Sequence, residues 1–156
     1  MTDTSRWNWI GTATPDAVIA AARALCETPF VPHGRLPGVG VDCIGVGVLT
    51  CRACGLVAAD ADITGYPMIP DGTLVETCDR LLIRAREPVV GGMGIFVMGG
   101  AQAHHLGVFV PYRYGGVAIV HAIGPGGLHN RVKETRLMPP MRLVRSYTVP
   151  GVAWAS

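Results

Sequence analysis

Apolar residues recur at helical spacing in the first half of the chain and alternate at strand spacing in the second. Val18, Ala22 and Leu25 share one face of a segment opened by Thr14, Pro15 and Asp16. Those three supply a side-chain cap, a first-turn proline and an acid at the positive end of the helix dipole, so a helix is expected from there to about Cys26. A loop rich in Pro and Gly follows, Pro29 to Gly40. Asp42 then opens a second helix, Cys43 to Cys54, with Gly55 placed to end it. Gly45, Val46, Gly47 and Val48 are poor helix formers, so packing has to override propensity there. Leu74, Cys78, Leu81 and Leu82 mark a third helix behind a capping-box pair, Thr73 and Glu76.

After Pro88 the period changes. Gly94–Met98, Leu106–Pro111, Gly116–Ala122 and Arg142–Val149 are short, rich in β-branched and aromatic residues, and bounded by Gly or Pro. Arg113–Tyr114–Gly115 reads as the turn of a hairpin joining the second and third of these strands. Helices first and an antiparallel sheet second make an α+β arrangement, expected as one domain over 1–156 with a core of about 15–149.

Composition narrows the function classes. Only 15% of the residues are charged and the net charge is +2, with Lys and Arg scattered. That excludes disorder and the basic, aromatic-interleaved stripe of a nucleic-acid surface. Pro88 to Tyr112 carries no Lys, Arg, Asp or Glu, but its glycines and the His104–His105 pair suit a buried β-hairpin better than a membrane helix. The first nine residues show no export signal, so synthesis in the cytoplasm is expected. Five cysteines cannot all pair with one another, which favours free thiols.

The candidate chemistry starts at Asp42-Cys43-Ile44-Gly45. A cysteine at the first turn of a helix sits beside unpaired N–H groups and the positive end of the dipole, and both favour thiolate. Gly45 lets another backbone or a substrate come close. The bland alternative is a small buried hydrophobe. The second piece is His104-His105-Leu106-Gly107-Val108-Phe109, with Val120-His121-Ala122 beyond the turn. A hairpin about Arg113–Gly115 sets His105 and His121 across from each other, Cβ atoms roughly 5 Å apart. One imidazole then takes a thiol proton while the other orients it. Two core histidines or a metal pair remain open at this point.

The sequence resembles the NlpC family of papain-like cell-wall cysteine peptidases, in particular versions carried among the tail proteins of phages, prophages and gene-transfer particles. The resemblance spans roughly Pro15 to Leu137. It rests on Pro29-Phe30 through Gly34-Arg35 leading to Gly40-Val41-Asp42-Cys43-Ile44-Gly45, on His105-Leu106-Gly107-Val108-Phe109, and on Val120-His121-Ala122. It implies a papain-like α+β fold, with N-terminal helices packed on a C-terminal antiparallel sheet. It implies Cys43 as nucleophile, His105 as base and His121 as the residue orienting the base. The implied substrate is the peptide stem of peptidoglycan, cut at the γ-D-glutamyl–diamino-acid bond. The implied partners are tail-tip or baseplate hub proteins, in a particle acting at the host cell wall. Many members have Ser where Ile44 stands, and an oxyanion-stabilising Tyr where Phe30 stands. His33 and Arg35 are the candidates to replace that donor. The alternative is a tail-assembly protein that keeps the fold without hydrolysis.

Neither a cofactor nor a metal is expected. Cys51-Arg52-Ala53-Cys54 lacks the second pair of a zinc ribbon and falls near a helix end, so packing is its default, with a metal or redox module the weaker reading. His104 points to the opposite face from His105 and is expected to be structural. His129 is a loop residue and a candidate to line a cleft, and Asp42 is read as a helix cap.

Overall fold

A computed structural model describes residues 1–99, 104–124 and 130–154. Among these residues the helices are α1 (Pro15–Arg23), α2 (Cys43–Ala53) and α3 (Thr73–Leu81). The strands are β1 (Arg35–Leu36), β2 (Gly40–Val41), β3 (Ile83–Ala85), β4 (Met93–Met98), β5 (His105–Pro111), β6 (Val117–Ala122), β7 (Val132–Arg136) and β8 (Met141–Thr148). β1 and β2 form a small antiparallel ribbon that delivers the chain to α2. The other strands make a six-stranded antiparallel sheet in the order β3-β8-β4-β5-β6-β7. The segment without charges becomes β4 and β5, paired from Met93↔Val108 to Phe96↔His105, and no helix is long and apolar enough to cross a membrane among the described residues.

Period-two alternation divides the sheet into two faces. Leu106, Val108 and Val110 of β5 and Ala118, Val120 and Ala122 of β6 join the main core under α1 and α2. Phe96, Phe109 and Ile119 form a smaller core on the opposite face, backed by Leu137, Met141 and Leu143. α2 survives its two interior glycines because of this burial. Each glycine costs about 1 kcal/mol relative to alanine. Burying Val46, Val48 and Leu49 returns roughly 1.5–3 kcal/mol apiece. Gly47 also permits the contact itself: a Cβ there would lie 3.0 Å from Leu106 Cδ2.

The helix starts follow local chemistry. Thr14 Oγ1 accepts the Ala17 N–H at 3.1 Å, with Pro15 in the first turn. α1 gives way after Arg23 to turns that run through Cys26. α2 is capped by Asp42, and Gly55 takes a positive φ of 69° behind it. At α3 the capping box is displaced. The N-cap is Gly72 at φ 90°, and Asp71 Oδ1 accepts both the Thr73 N–H at 3.0 Å and its hydroxyl at 2.7 Å. Thr73 has spent its hydroxyl one residue too late to cap. β3 and β7 have no counterpart in the sequence pattern, because each is a short edge strand with at most one buried residue.

Candidate functional site

The N-terminus of α2 is anchored by one buried carboxylate. Asp42 Oδ1 accepts the Gly45 N–H at 2.8 Å and Arg35 Nη1–H at 3.0 Å. Its Oδ2 accepts the His33 N–H at 2.8 Å and the Tyr66 hydroxyl at 2.6 Å. Arg35 also donates to Gly34 O, Asp62 Oδ1, Ile63 O and Tyr66 Oη, so its five N–H donors are all taken. The β1–β2 ribbon, the segment 62–66 and the start of α2 are thereby locked together directly behind Cys43. Gly45 is required by the same closeness, since a Cβ there would stand 2.7 Å from Gly34 O.

Cys43 is seated in a split of the sheet. The β5–β6 pairing runs from Pro111↔Val117 to Val108↔Val120 and goes no further, although β6 continues along β7 to Ala122. The Leu106 N–H that β6 no longer reaches donates to Cys43 Sγ instead. That sulfur lies 3.9 Å from His104 O. The thiol therefore rests against the main chain on both sides of His105.

His105, His121 and Thr135 form a hydrogen-bonded ladder across three strands. His105 Nε2 is 2.7 Å from His121 Nδ1, and His121 Nε2 is 2.7 Å from Thr135 Oγ1. The register is one that the expected turn allows, but it does not set His105 and His121 directly opposite. Continued by one residue, Val108↔Val120 sets Gly107 across from His121, so His105 meets it diagonally. Gly107 has no side chain to obstruct that contact, and the Tyr112 N–H donates to Gly116 O, closing the turn on Arg113–Tyr114–Gly115 where the sequence places it. Thr135 faces Ile119 and so repeats the diagonal step. His105 Nδ1 makes no hydrogen bond among the described residues. When Nδ1 acts as base, His105 Nε2–H donates to His121 Nδ1 and His121 Nε2–H donates to Thr135 Oγ1, a consistent tautomer chain.

Burial sets the resting protonation. It pushes the Cys43 thiol up to about 11, aided by the Asp42 charge and opposed by the N–H groups of Leu106, Ile44 and Cys43 itself. It pushes His105 down to about 3, with lesser contributions from His121 and His104, and His121 down to about 4. A free thiolate expected from the helix terminus is thus outweighed by desolvation. At rest the Cys43 thiol and the two imidazoles are uncharged.

The same shifts set acid stability. Both imidazoles have folded values below the ordinary 6.5, so the unfolded chain binds more protons below it. Stability is fully present above pH 6.5 and falls as pH drops toward 4 and then 3. The urea midpoint is expected to decline over that window, and to decline less steeply in His121→Gln.

Several expected residues land elsewhere. Arg35 has no donor left for a substrate oxygen, so it is a structural clamp and not an oxyanion donor. His33 is exposed, with its backbone at φ 58° and its ring 4.6 Å from that of Tyr66. His104 lines the groove at Cys43. His129 lies outside the described residues. Cys51 and Cys54 are free thiols near the end of α2, Cys51 deeply buried with its thiol pushed up by burial. Among the described residues no group of three or more metal-ligating side chains converges.

Thr135 and Tyr66 had no signal strong enough to single them out. Thr135 sits in Val132-Lys133-Glu134-Thr135-Arg136, which reads as a polar edge. For a chain that turns over substrate through His105, a Thr135→Val change is expected to lower kcat about tenfold with KM unchanged, one lost hydrogen bond of roughly 1–1.5 kcal/mol, while Thr135→Ser retains activity. Steady-state kinetics of both variants checks this.

The chain is similar to a solved structure, the crystal structure of the NlpC/p60 domain of the peptidoglycan hydrolase SagA. The TM-score is 0.60 at 20% sequence identity, covering 88% of this chain and 100% of that one. The two share a fold. No protein-family profile matches the sequence, and no curated protein matches it.

Proposed function

We propose that this chain is a cysteine peptidase that hydrolyses amide bonds in the peptide stems of bacterial peptidoglycan. One observation carries the reading: Cys43 Sγ, at the start of α2, rests against the main chain flanking His105, whose Nε2 is held by His121. The fold shared with a domain of a peptidoglycan hydrolase supports the substrate class. Cys43 Sγ attacks the scissile carbonyl as His105 Nδ1 takes its proton. His105 returns that proton to the leaving amine, and the acyl group stays on sulfur as a thioester. Water, deprotonated by His105, then releases the acid and restores the thiol. The Cys43 N–H is one candidate oxyanion donor.

Hydrolysis at the γ-D-glutamyl–diamino-acid bond, and a place in a tail tip or baseplate beside hub proteins, follow from the family resemblance and belong to this proposal. Incubating the purified chain with muropeptides, followed by mass spectrometry, tests it. The expected products carry one new amine and one new carboxyl at a stem amide. Absence of any new stem fragment would count against the reading.

A second reading is favoured by the thiol pushed up to about 11 and by Phe30 and Ile44 at the two departures from the family pattern. In that reading the chain is a tail-assembly component that retains the fold without turnover. It is supported if muropeptides stay intact and His105→Ala leaves the alkylation rate of Cys43 unchanged.

A further inference from the structure

A groove opens at Cys43 on the helix-covered side of the sheet. Its walls include Trp7 and Trp9 of the N-terminal segment, Met68 and Ile69 of the loop before α3, and Leu74 and Leu81 of α3. Among the described residues no lysine or arginine lines it, and its one histidine is His104. Of its two acids among the described residues, Asp42 is saturated by four donors and Asp71 accepts the Thr73 N–H and hydroxyl. Met68 is 45% and Ile69 79% exposed, large apolar surfaces held in water at the mouth. Trp7 Nε1 is buried without a partner among the described residues, a donor available to a carbonyl oxygen.

The groove and the base lie on different sides of β5. His105 does not line the groove, and its ring belongs to the row of Phe96, 6.5 Å away between centroids. The amine that leaves has to collect its proton from His105, so the leaving half of a substrate lies toward that ring. The half that stays on sulfur as a thioester is directed to the other side of Cys43.

We infer that this groove is the acyl-side subsite and takes an uncharged, apolar group next to the carbonyl attacked by Cys43. A carboxylate entering it loses its hydration and meets no lysine or arginine among the described residues, whereas an apolar side chain gains by leaving water. The inference rests on the proposed role of Cys43. It narrows the proposed γ-D-glutamyl substrates to stems whose α-carboxyl is masked, since a γ-linked glutamyl residue otherwise brings a free carboxylate to the acyl side.

Two affinity labels separate the possibilities: N-acetyl-leucyl and N-acetyl-glutamyl chloromethyl ketones, which place an apolar or an anionic side chain beside the attacked carbonyl. The second-order rate of Cys43 alkylation is read by intact-mass and peptide mass spectrometry. The leucyl ketone is expected to react at least about tenfold faster. In Ile69→Asp, a change at an exposed position, the ratio is expected to fall to about threefold or less. Equal rates, a faster glutamyl label, or a ratio unchanged by Ile69→Asp would overturn the subsite while leaving the nucleophile in place. If neither ketone labels Cys43 although iodoacetamide does, the hydrolase reading fails and the subsite with it.

Discussion

Cys43→Ala is expected to abolish hydrolysis of stem peptides, lowering kcat by at least about 10⁴-fold, to the level of a no-enzyme control. Among the described residues His105 hydrogen-bonds to His121 and to no second thiol or hydroxyl nucleophile. His105→Ala should lose about 10³–10⁴-fold, because a thiol held near 11 is almost wholly protonated at neutral pH and depends on a base at the moment of attack. His121→Ala should keep more activity, about 10²-fold below wild type, since it removes the holder of the base and not the base. The fold should survive Cys43→Ala, as the side chain is only partly buried and its sulfur makes weak contacts. Kinetics alongside a urea melt distinguishes chemistry from folding. Full activity in Cys43→Ala would remove Cys43 from the mechanism.

Asp42→Ala should produce the largest loss of stability, about 3–5 kcal/mol in urea unfolding. Alanine deletes a helix cap worth about 1 kcal/mol. It also leaves Arg35, only 14% exposed, with Asp62 as its remaining ionic partner. The Tyr66 hydroxyl and the His33 N–H lose their acceptor as well. Asp42→Asn should fall between wild type and alanine. Its carbonyl oxygen can still cap Gly45, but its amide N–H₂ then faces two donors. A loss below about 1 kcal/mol in Asp42→Ala would show that the network tolerates an empty centre. Because Cys43 is the next residue, activity should fall with stability, and circular dichroism of the folded fraction is needed beside the kinetics.

The α+β division was legible because it rests on local signals. Thr14 and Pro15 start α1, and Asp42 and Gly55 bracket α2. The uncharged stretch after Pro88 alternates as strands do, and becomes β4 and β5. Each of these depends on residues within a turn or two of one another, so a linear reading captures them. The side chains that the motifs single out, Cys43, His105 and His121, were likewise nameable from their neighbours in the chain.

The spatial relations among them were not. Nothing local specifies that β6 parts from β5 beyond Val120, yet that parting makes room for the Cys43 sulfur. The diagonal meeting of His105 with His121 depends on a register set by the whole hairpin and on the bare Gly107 between them. Thr135 reaches His121 only because β7, an edge strand of polar aspect, pairs where it does. Arg35 looked available for a substrate until packing brought Asp62, Ile63 and Tyr66 around it from a segment some thirty residues away. The pKa values follow the same division. A helix terminus, visible in the sequence, draws the thiol down, while burial, which only the assembled core supplies, pushes it up and prevails. The sequence by itself determined which residues begin helices, which alternate as strands and which carry reactive groups, because those are short-range properties. The tertiary structure alone decided which reactive groups meet, which are already consumed and how deeply each is buried, because these depend on contacts between segments far apart in the chain.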